Sequence, residues 1–279
     1  MDVSQPAVPA AFDSLALRYG LAAVPPAGPW NEHIALLLSH RSVRGYRSDG
    51  LPSGTLETLV AAAQSAATSS NLQTWSVIAV TDPGKKAALA KVAANQKHIE
   101  QCPLFLVWVA DISRNQRLAA EEGVTLEVMP YQETFLVAAI DAALAAQNAT
   151  VAAESLGLSC VYIGALRNNP AEVAAIVGLP AGAFGVFGMC VGYASAAGAT
   201  EVKPRLPQRV VLHLETYDAT GESAHRAAYD AELEAFSARQ GTALDTWTRR
   251  VIGRMGKIAA MGGRDRLAAT LNAMGFHLK

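Results

Sequence analysis

The sequence has few cysteines and almost no excess of charge, and each shortage argues against a class of protein. Cys102, Cys160 and Cys190 are its three cysteines and form no C-x-x-C pair, which argues against a disulfide framework and favours a reducing compartment. The formal net charge is -1 over 279 residues, whereas nucleic acid or an acidic membrane surface attracts proteins with dense positive charge. We therefore expect a cytoplasmic protein that binds neither nucleic acid nor membrane.

Several motifs that carry chemistry are also missing. No G-x-G-x-x-G follows a predicted strand, and Gly185, Gly188 and Gly192 have the wrong spacing for a dinucleotide-binding turn. The sequence has neither a G-x-x-x-x-G-K-[ST] phosphate loop nor a G-x-S-x-G nucleophile elbow, and its histidines are dispersed without a metal-binding spacing. Either a bound cofactor supplies the chemistry, or the protein has none.

The longest apolar run, residues 137–153, is the nearest approach to a membrane span. It contains Asp141, Gln147 and Asn148, which favours a buried helix of a soluble protein. The helix is predicted over residues 133–156, and Gly157 ends it. Since it is apolar on more than one side, it should lie centrally or against another subunit.

Helices and strands alternate along the rest of the chain, which predicts an α+β or α/β domain. Residues 1–29 are rich in alanine and proline and are predicted to form an extension, with a short helix at 12–19. The domain follows over residues 30–279, with a helical lobe from about 218 to 279. Ser53 is predicted to cap a helix, and residues 111–132 are predicted to be irregular. The predicted strands are 75–81, 104–110, 158–163, 185–193 and 210–214, and the other predicted helices are 82–94, 170–177, 222–239, 245–260 and 264–274.

Two basic clusters stand far apart in the sequence. Residues 40–44 carry Arg41 and Arg44, and Lys203 and Arg205 lie about 160 residues downstream. Two such clusters can close on one phosphate from two sides, because the planar guanidinium donates parallel hydrogen bonds to phosphate oxygens. Taken singly, each cluster also fits a solvated charged turn.

Polar residues interrupt apolar elements in five places, at residues 40–44, 68–73, 96–98, 162–169 and 203–205. An isoalloxazine ring needs such a set, with donors and acceptors along its pyrimidine edge and cations at the phosphate. Five ordinary loops would give the same pattern, and spacing alone does not decide between these interpretations.

Seven segments in order along the chain carry a more specific signal. They are residues 40–44, 68–73, 96–98, 152–158, 161–169, 187–192 and 203–207. From about residue 34 to the C-terminus, the chain resembles the NADPH-dependent flavin reductase branch of the oxygen-insensitive nitroreductase family. The resemblance implies an α+β nitroreductase-like fold, with a central, mainly antiparallel sheet flanked by helices. It also implies an intertwined homodimer that binds FMN noncovalently at its interface.

The resemblance also implies the residues that bind the cofactor. They are His40, Arg41, Ser42, Arg44, Thr68, Ser69, Ser70, Gln96, Lys97, His98, Tyr162, Ile163, Gly164, Ala165, Lys203 and Arg205. Segments 40–44 and 203–205 would hold the ribityl phosphate, and the other segments would line the flavin. Arg44 could also polarise an acceptor above the ring. No protein side chain is implied as an acid or base, because the flavin carries the hydride.

The implied reaction is ping-pong electron transfer from NADPH or NADH to nitroaromatics, quinones or free flavins. Two alternatives stay open: a dedicated flavin reductase that supplies reduced FMN, and a catalytically silent flavin-binding scaffold. Tight retention of FMN would argue against the first, and oxidation of NADPH above the rate with free FMN would exclude the second.

Two departures from the family pattern concern the substrates. Close members carry two arginines before an Asp-Thr-Trp sequence, whereas Ala243 and Leu244 precede Asp245 here. The resemblance implies that those two arginines help to bind the NADPH 2′-phosphate, so their absence predicts a weaker preference for NADPH over NADH than is usual in the family. Arg239 and Arg264 do match basic positions of the family and are predicted to bind the substrate. Asn71 stands where relatives often have an aromatic residue at the pocket edge, which should change the acceptors that fit.

Overall fold

The computed structural model describes residues 10–198 and 200–279, so residues 1–9 of the predicted extension lie outside the described residues. The chain divides into two compact units. The helical unit consists of residues up to 41 together with 200–260, and the sheet unit consists of residues 42–199 and 261–279.

The described residues form the following helices and strands in chain order. The helices are α1 (Ala11–Tyr19), α2 (Glu32–Ser39), α3 (Thr55–Gln64), α4 (Pro83–Val92), α5 (His98–Gln101), α6 (Ser113–Glu121), α7 (Gln132–Ser155), α8 (Pro170–Val177), α9 (Gln208–Val211), α10 (Glu222–Arg239), α11 (Trp247–Met255) and α12 (Leu267–Ala273). The strands are β1 (Trp75–Val80), β2 (Leu104–Asp111), β3 (Ser159–Ile163) and β4 (Ala183–Gly192).

The sheet has the strand order β1-β2-β4-β3, and every neighbouring pair is antiparallel, as predicted. All residues of β2 are buried, because its two faces contact different cores. Leu104, Leu106 and Trp108 pack with the alanines of α7, whereas Phe105 and Val107 pack on the opposite side. This two-sided burial explains why the strand is a continuous apolar run instead of an alternating one.

Close approach across the sheet accounts for the predicted glycine-rich strand. A Cβ atom on Gly188 would lie 2.2 Å from a ring carbon of Phe105 and 3.1 Å from Leu166. Gly188 is paired with Val107 on one side and Ile163 on the other. A larger residue at this position would force Phe105 out of the core.

The long helix α7 presents two different sides. Its buried side consists mainly of small residues, among them Ala138, Ala142, Ala145 and Ala149, and packs on the sheet. By length and composition alone α7 could cross a membrane, with a mean hydropathy of 1.5 over its most apolar stretch. The burial of Asp141 within this helix, with hydrogen bonds to neighbouring backbone, is the environment of a core helix.

Most predicted elements are confirmed, including the helix at 12–19, but three predictions are wrong. Residues 111–132 are not all irregular, because Asp111 accepts a hydrogen bond from the Ser113 N–H and starts the polar helix α6. Residues 210–214 form no strand, because Pro207 begins the single turn α9. Ser53 does not cap α3, since Gly54 takes the N-cap position with φ of 82°.

The helical unit has a small core of its own. Tyr229, Leu233 and Phe236 of α10 are buried together, and Leu206 and Trp247 pack against them. The predicted helix at 222–239 is confirmed as α10. The predicted helix at 245–260 is shorter than expected. As α11 it begins at Trp247, because the Thr246 side chain accepts from the Arg249 N–H, and it ends at Met255, before Gly256.

Candidate functional site

Arg44 belongs to a short segment that runs beside β3 and β4 in the sheet unit. The Val43 N–H donates to the carbonyl of Cys160 at 3.1 Å, and Tyr46 forms an isolated bridge with Ala194. The hydroxyl of Tyr46 donates back to the Val43 carbonyl at 2.9 Å. Val43 and Tyr46 are buried, whereas Arg44 is exposed. The two buried residues fix the backbone of the segment, and the Arg44 side chain lies on the surface between them.

His98 carries one of three buried polar atoms of the sheet unit that lack a hydrogen-bond partner among the described residues, the others being Trp108 Nε1 and Asn115 Oδ1. In His98 this atom is Nε2. Burial lowers the pKa of His98, and the neighbouring positive charge of Arg44 lowers it further. A neutral imidazole with an unmatched nitrogen beside a cation is suited to a polar ligand that completes its hydrogen bonds.

A buried lysine fixes the backbone of the turn that carries His98. Buried Lys86 donates to the carbonyls of Glu100 at 3.0 Å and Cys102 at 2.7 Å, which are the last carbonyls around α5. Gln96 is partly buried and accepts from the Ile99 N–H, whereas Lys97 is exposed. These hydrogen bonds therefore hold the backbone of segment 96–98, which carries the side chains of Lys97 and His98.

The loop between α3 and β1 is strained and is held by a buried carboxylate. Ser70, Asn71 and Gln73 all have positive φ, between 47° and 56°. Asp141 accepts from the Ser69 N–H at 3.1 Å and from both the N–H and hydroxyl of Thr74, at 3.1 and 2.9 Å. Backbone strain of this kind costs on the order of 1 to 3 kcal/mol per residue and persists only where the surroundings enforce it.

The end of β3 leads into a tight turn over residues 164–168. The Tyr162 hydroxyl lies 2.8 Å from the Thr150 hydroxyl, and its ring packs edge-on against Phe187 at 5.1 Å. Burial raises the pKa of Tyr162 to about 12, so the phenol stays protonated at neutral pH. Ile163 is almost fully buried in the core, so this position can offer a ligand only its backbone; Gly164 and Ala165 are partly buried.

The second basic cluster lies in the helical unit. The Nζ of Lys203 lies 5.8 Å from the ring centre of Phe236, and Arg205 is exposed. The Pro204 carbonyl between them accepts from the Tyr229 hydroxyl at 2.9 Å. His40 and Arg41 follow α2 in the same unit, and Arg41 is exposed.

The three predicted substrate residues have different surroundings. Arg239 donates to Glu201 at 3.3 Å and lies 3.7 Å from Glu232, so it is already paired in the helical unit. Arg264 donates to Asn168 at 3.1 Å in the sheet unit. Asn71 is exposed at the tip of the strained loop.

The structure brings some of the predicted residues together. In the sheet unit Arg44 acts electrostatically on His98. In the helical unit the carbonyls of His40 and Lys203 are bonded to one side chain, Arg18. Neither Asp141 nor Arg18 was predicted to support a site. A carboxylate within an apolar run was a usable signal for Asp141, whereas the sequence around Arg18 gives none.

Comparison with known proteins identifies the family. The Nitroreductase family profile matches residues 37–193, and that of the Nitroreductase family C-terminal domain matches residues 203–279. An FMN reductase (NADPH) from Bacillus subtilis is 38% identical over 81% of this chain and 92% of its own length. An NADPH-flavin oxidoreductase from Vibrio harveyi is 34% identical over 88% of this chain and 98% of its own length.

A solved structure agrees with these matches. The NfrA1 nitroreductase from B. subtilis superposes with a TM-score of 0.82 at 36% identity, covering 88% of this chain and 99% of that chain. The sequence matches and the structural match therefore each extend over most of the chain. This chain belongs to the nitroreductase family.

Proposed function

We propose that this protein is an FMN-dependent oxidoreductase that passes electrons from NADPH or NADH to nitroaromatics, quinones or flavins. The observation that carries the proposal is the near full-length match to relatives named FMN reductase (NADPH) and NADPH-flavin oxidoreductase. A further relative, from Salmonella typhimurium, is named oxygen-insensitive NADPH nitroreductase and is 36% identical over 220 residues. All three names include NADPH, and the first two also name FMN or a flavin, which supports the proposed donor and cofactor.

The donor set of the chain fits FMN. In the sheet unit, the unmatched Nε2 of His98 beside Arg44 requires a polar partner that the described protein does not supply. The enforced loop at Ser69 and Ser70 is of the kind that clamps ligands. In the helical unit, Arg41, Lys203 and Arg205 offer cations suited to a phosphate.

When bound, FMN supplies the chemistry by accepting and donating a hydride at its ring. The protein residues bind and orient. His98 and the backbone near Gly164 are proposed to fix the ring, Arg44 is proposed to bind the phosphate, and the partly buried Tyr162 is proposed to line the ring. The phenol of Tyr162 is engaged by Thr150 and Gln147, so we assign it an orienting role and no proton transfer.

We propose a homodimer, with α7 at its interface. Leu136, Ile140 and Leu144 follow one another at intervals of four residues, and each is between 43% and 50% exposed. This spacing places them along one side of the helix, opposite the alanines that face the sheet. An exposed apolar stripe along one side of a helix whose other side packs in the core is typical of a surface that a second subunit covers.

We also propose a ping-pong order and a cytoplasmic location. If donor and acceptor both reacted with bound FMN in the same pocket, they would have to occupy it in turn, as a ping-pong order requires. Cys102, Cys160 and Cys190 are all buried free thiols, which is consistent with a reducing compartment.

An absorbance spectrum of the purified protein tests the proposal. Flavin bands that bleach on anaerobic addition of NADPH, and return when a nitroaromatic or quinone is added, are the expected result. A colourless protein that takes up no FMN would contradict it. The relative named FMN reductase favours a second candidate, a dedicated supplier of reduced FMN. Loss of the flavin during gel filtration would support that role, whereas its retention supports the first.

A further inference from the structure

Arg18 is a buried cation outside the part of the chain that the family profiles match. The Nitroreductase profile begins at residue 37, whereas Arg18 lies in the last turn of α1. Only 6% of its surface is exposed, and Ser14 and Leu15 are buried on the same side of the helix. A buried arginine is costly unless its donors are satisfied, so the partners of its guanidinium show what it holds.

The guanidinium of Arg18 joins two distant stretches of the helical unit. It donates to the Lys203 carbonyl at 2.8 Å, and to the carbonyls of Leu38 at 2.5 Å and His40 at 2.9 Å. The backbone carbonyl of Arg18 accepts from the Arg205 N–H at 2.8 Å. One residue therefore holds the chain immediately before Arg41 and the chain on both sides of Pro204.

The surrounding contacts fix Arg18 itself. Gly20 ends α1 with φ of 75°, and a Cβ atom there would lie 2.5 Å from Oε2 of Glu232 on α10. The hydroxyl of Tyr229, also on α10, holds the Pro204 carbonyl. The Arg18 guanidinium also donates to the Leu38 carbonyl in the last turn of α2, and cations are favoured at the C-terminal end of a helix.

These contacts determine the geometry of the proposed phosphate-binding cations. A phosphate site needs its donors within about 0.5 Å of their productive positions, and that precision depends on the groups that hold the donors. Without the guanidinium, three carbonyls lose a donor and the stretches 38–41 and 203–205 lose their common support.

We infer that Arg18 is a positioning residue for phosphate recognition, through which the N-terminal helix α1 sets the spacing between Arg41 and the Lys203–Arg205 pair. This inference rests on the proposed function, because the phosphate is that of FMN. It assigns the N-terminal extension a part in binding the cofactor.

The test compares FMN with riboflavin, which has the same ring and no phosphate. Full-length protein is freed of flavin, and the dissociation constants of both ligands are measured by quenching of flavin fluorescence. Arg18→Met keeps the length of the side chain and removes its donors, whereas Arg18→Lys retains the charge and a single donor centre. Leu17→Ala, at an exposed neighbouring position, is the matched control.

In Arg18→Met, the dissociation constant for FMN should rise about tenfold or more, since displaced donors make weaker charged hydrogen bonds. Riboflavin should bind as it does to the wild type, so the selectivity for FMN over riboflavin falls. Arg18→Lys should lie between the two, and Leu17→Ala should match the wild type. If Arg18→Met fails to fold, the selectivity of Arg18→Lys decides the question.

Equal loss of affinity for FMN and riboflavin would overturn the inference, because it would indicate a purely structural role. Unchanged selectivity in both Arg18 variants would overturn it as well. A wild-type protein that binds neither flavin would instead contradict the proposed function, so the two failures are distinguishable.

Discussion

Each unit contains a buried charged residue that holds a polar stretch of chain near the proposed site, Asp141 in the sheet unit and Arg18 in the helical unit, and the two charges have opposite signs. In the sheet unit Asp141 accepts from the N–H groups of Ser69 and Thr74. In the helical unit Arg18 donates to the carbonyls of Leu38 and Lys203, which belong to the two separate stretches of chain that make up this unit. A carboxylate only accepts hydrogen bonds, so it suits a loop whose N–H groups have no partner in a helix or sheet. A guanidinium only donates them, so it suits stretches whose carbonyls have no such partner.

The surroundings of the two charges also differ. Asp141 lies in a 24-residue helix that packs on a four-stranded sheet, next to extensive apolar cores. Arg18 lies in a nine-residue helix, and the unit's apolar cluster has three buried members. Packing therefore fixes the frame of the sheet unit, and Asp141 only shapes one loop. In the helical unit, whose apolar cluster is small, hydrogen bonds contribute more to holding the polar stretches in place than they do in the sheet unit.

The largest expected effect comes from removing the anchor of the sheet unit. Asp141→Asn keeps one acceptor but leaves buried N–H groups of the strained loop without the carboxylate, which should cost about 3 kcal/mol in the free energy of unfolding. Urea denaturation measures it. Glu133→Gln, at an exposed position of the same helix, is the control and should change stability by less than about 0.5 kcal/mol. Equal stability of the two variants would contradict the role of Asp141.

The second prediction separates a supporting charge from one that contacts the ligand. Arg44→Ala should weaken FMN binding by about 1.5 to 3 kcal/mol, the value of a hydrogen bond to a charged group. The free energy of unfolding should hardly change, because the side chain is exposed. Titration of FMN and urea denaturation measure the two quantities. Arg47→Ala, whose exposed guanidinium pairs with Asp49 at 2.8 Å, is the control and should bind FMN normally.

The third prediction concerns the donor and the helical unit. Preference for NADPH over NADH, as a ratio of kcat/KM values, should be weaker than is usual in the family, and a preference of about 1000-fold, or about 4 kcal/mol, would contradict this. The double variant Ala243→Arg with Leu244→Arg should raise the preference about tenfold, by adding cations at exposed positions. Its kcat/KM for NADH serves as the control and should stay unchanged.

The smallest effect is a pH dependence that arises in the sheet unit. Burial and the charge of Arg44 lower the pKa of His98 in the folded state, so the unfolded chain binds a proton more readily. The stability that this contributes is fully present above the unfolded pKa of about 6.5 and is lost as the pH falls through the lower, folded pKa. His98→Gln should reduce the loss of stability between about pH 7 and 5 by a few tenths of a kcal/mol, because solvent screens this site.

Urea denaturation of the flavin-free protein across this pH range measures the effect. His33→Gln, which removes an exposed imidazole from α2, is the control. A pH profile of His98→Gln that coincides with the wild type would show that its ionisation is not linked to folding.

Periodicity and capping residues were sufficient to predict much of the fold. The helices predicted at 82–94 and 170–177 are confirmed as α4 and α8, because Asp82 and Asn169 each precede a proline and cap the helix with hydrogen bonds to nearby backbone. The strand at 104–110 was predictable from its apolar run, which burial on two faces requires. Residues 210–214 were predicted wrongly because β-branched residues favour a strand only where a partner strand is present.

The sequence by itself determined the family, the order of the elements and the segments that carry polar groups, because these depend on local patterns. Only the tertiary structure decided which distant groups support them. Asp141 is 67 residues from Thr74, and Arg18 is 185 residues from Lys203. No local pattern connects such positions, since hydrogen bonds between them exist only after packing has removed both partners from water.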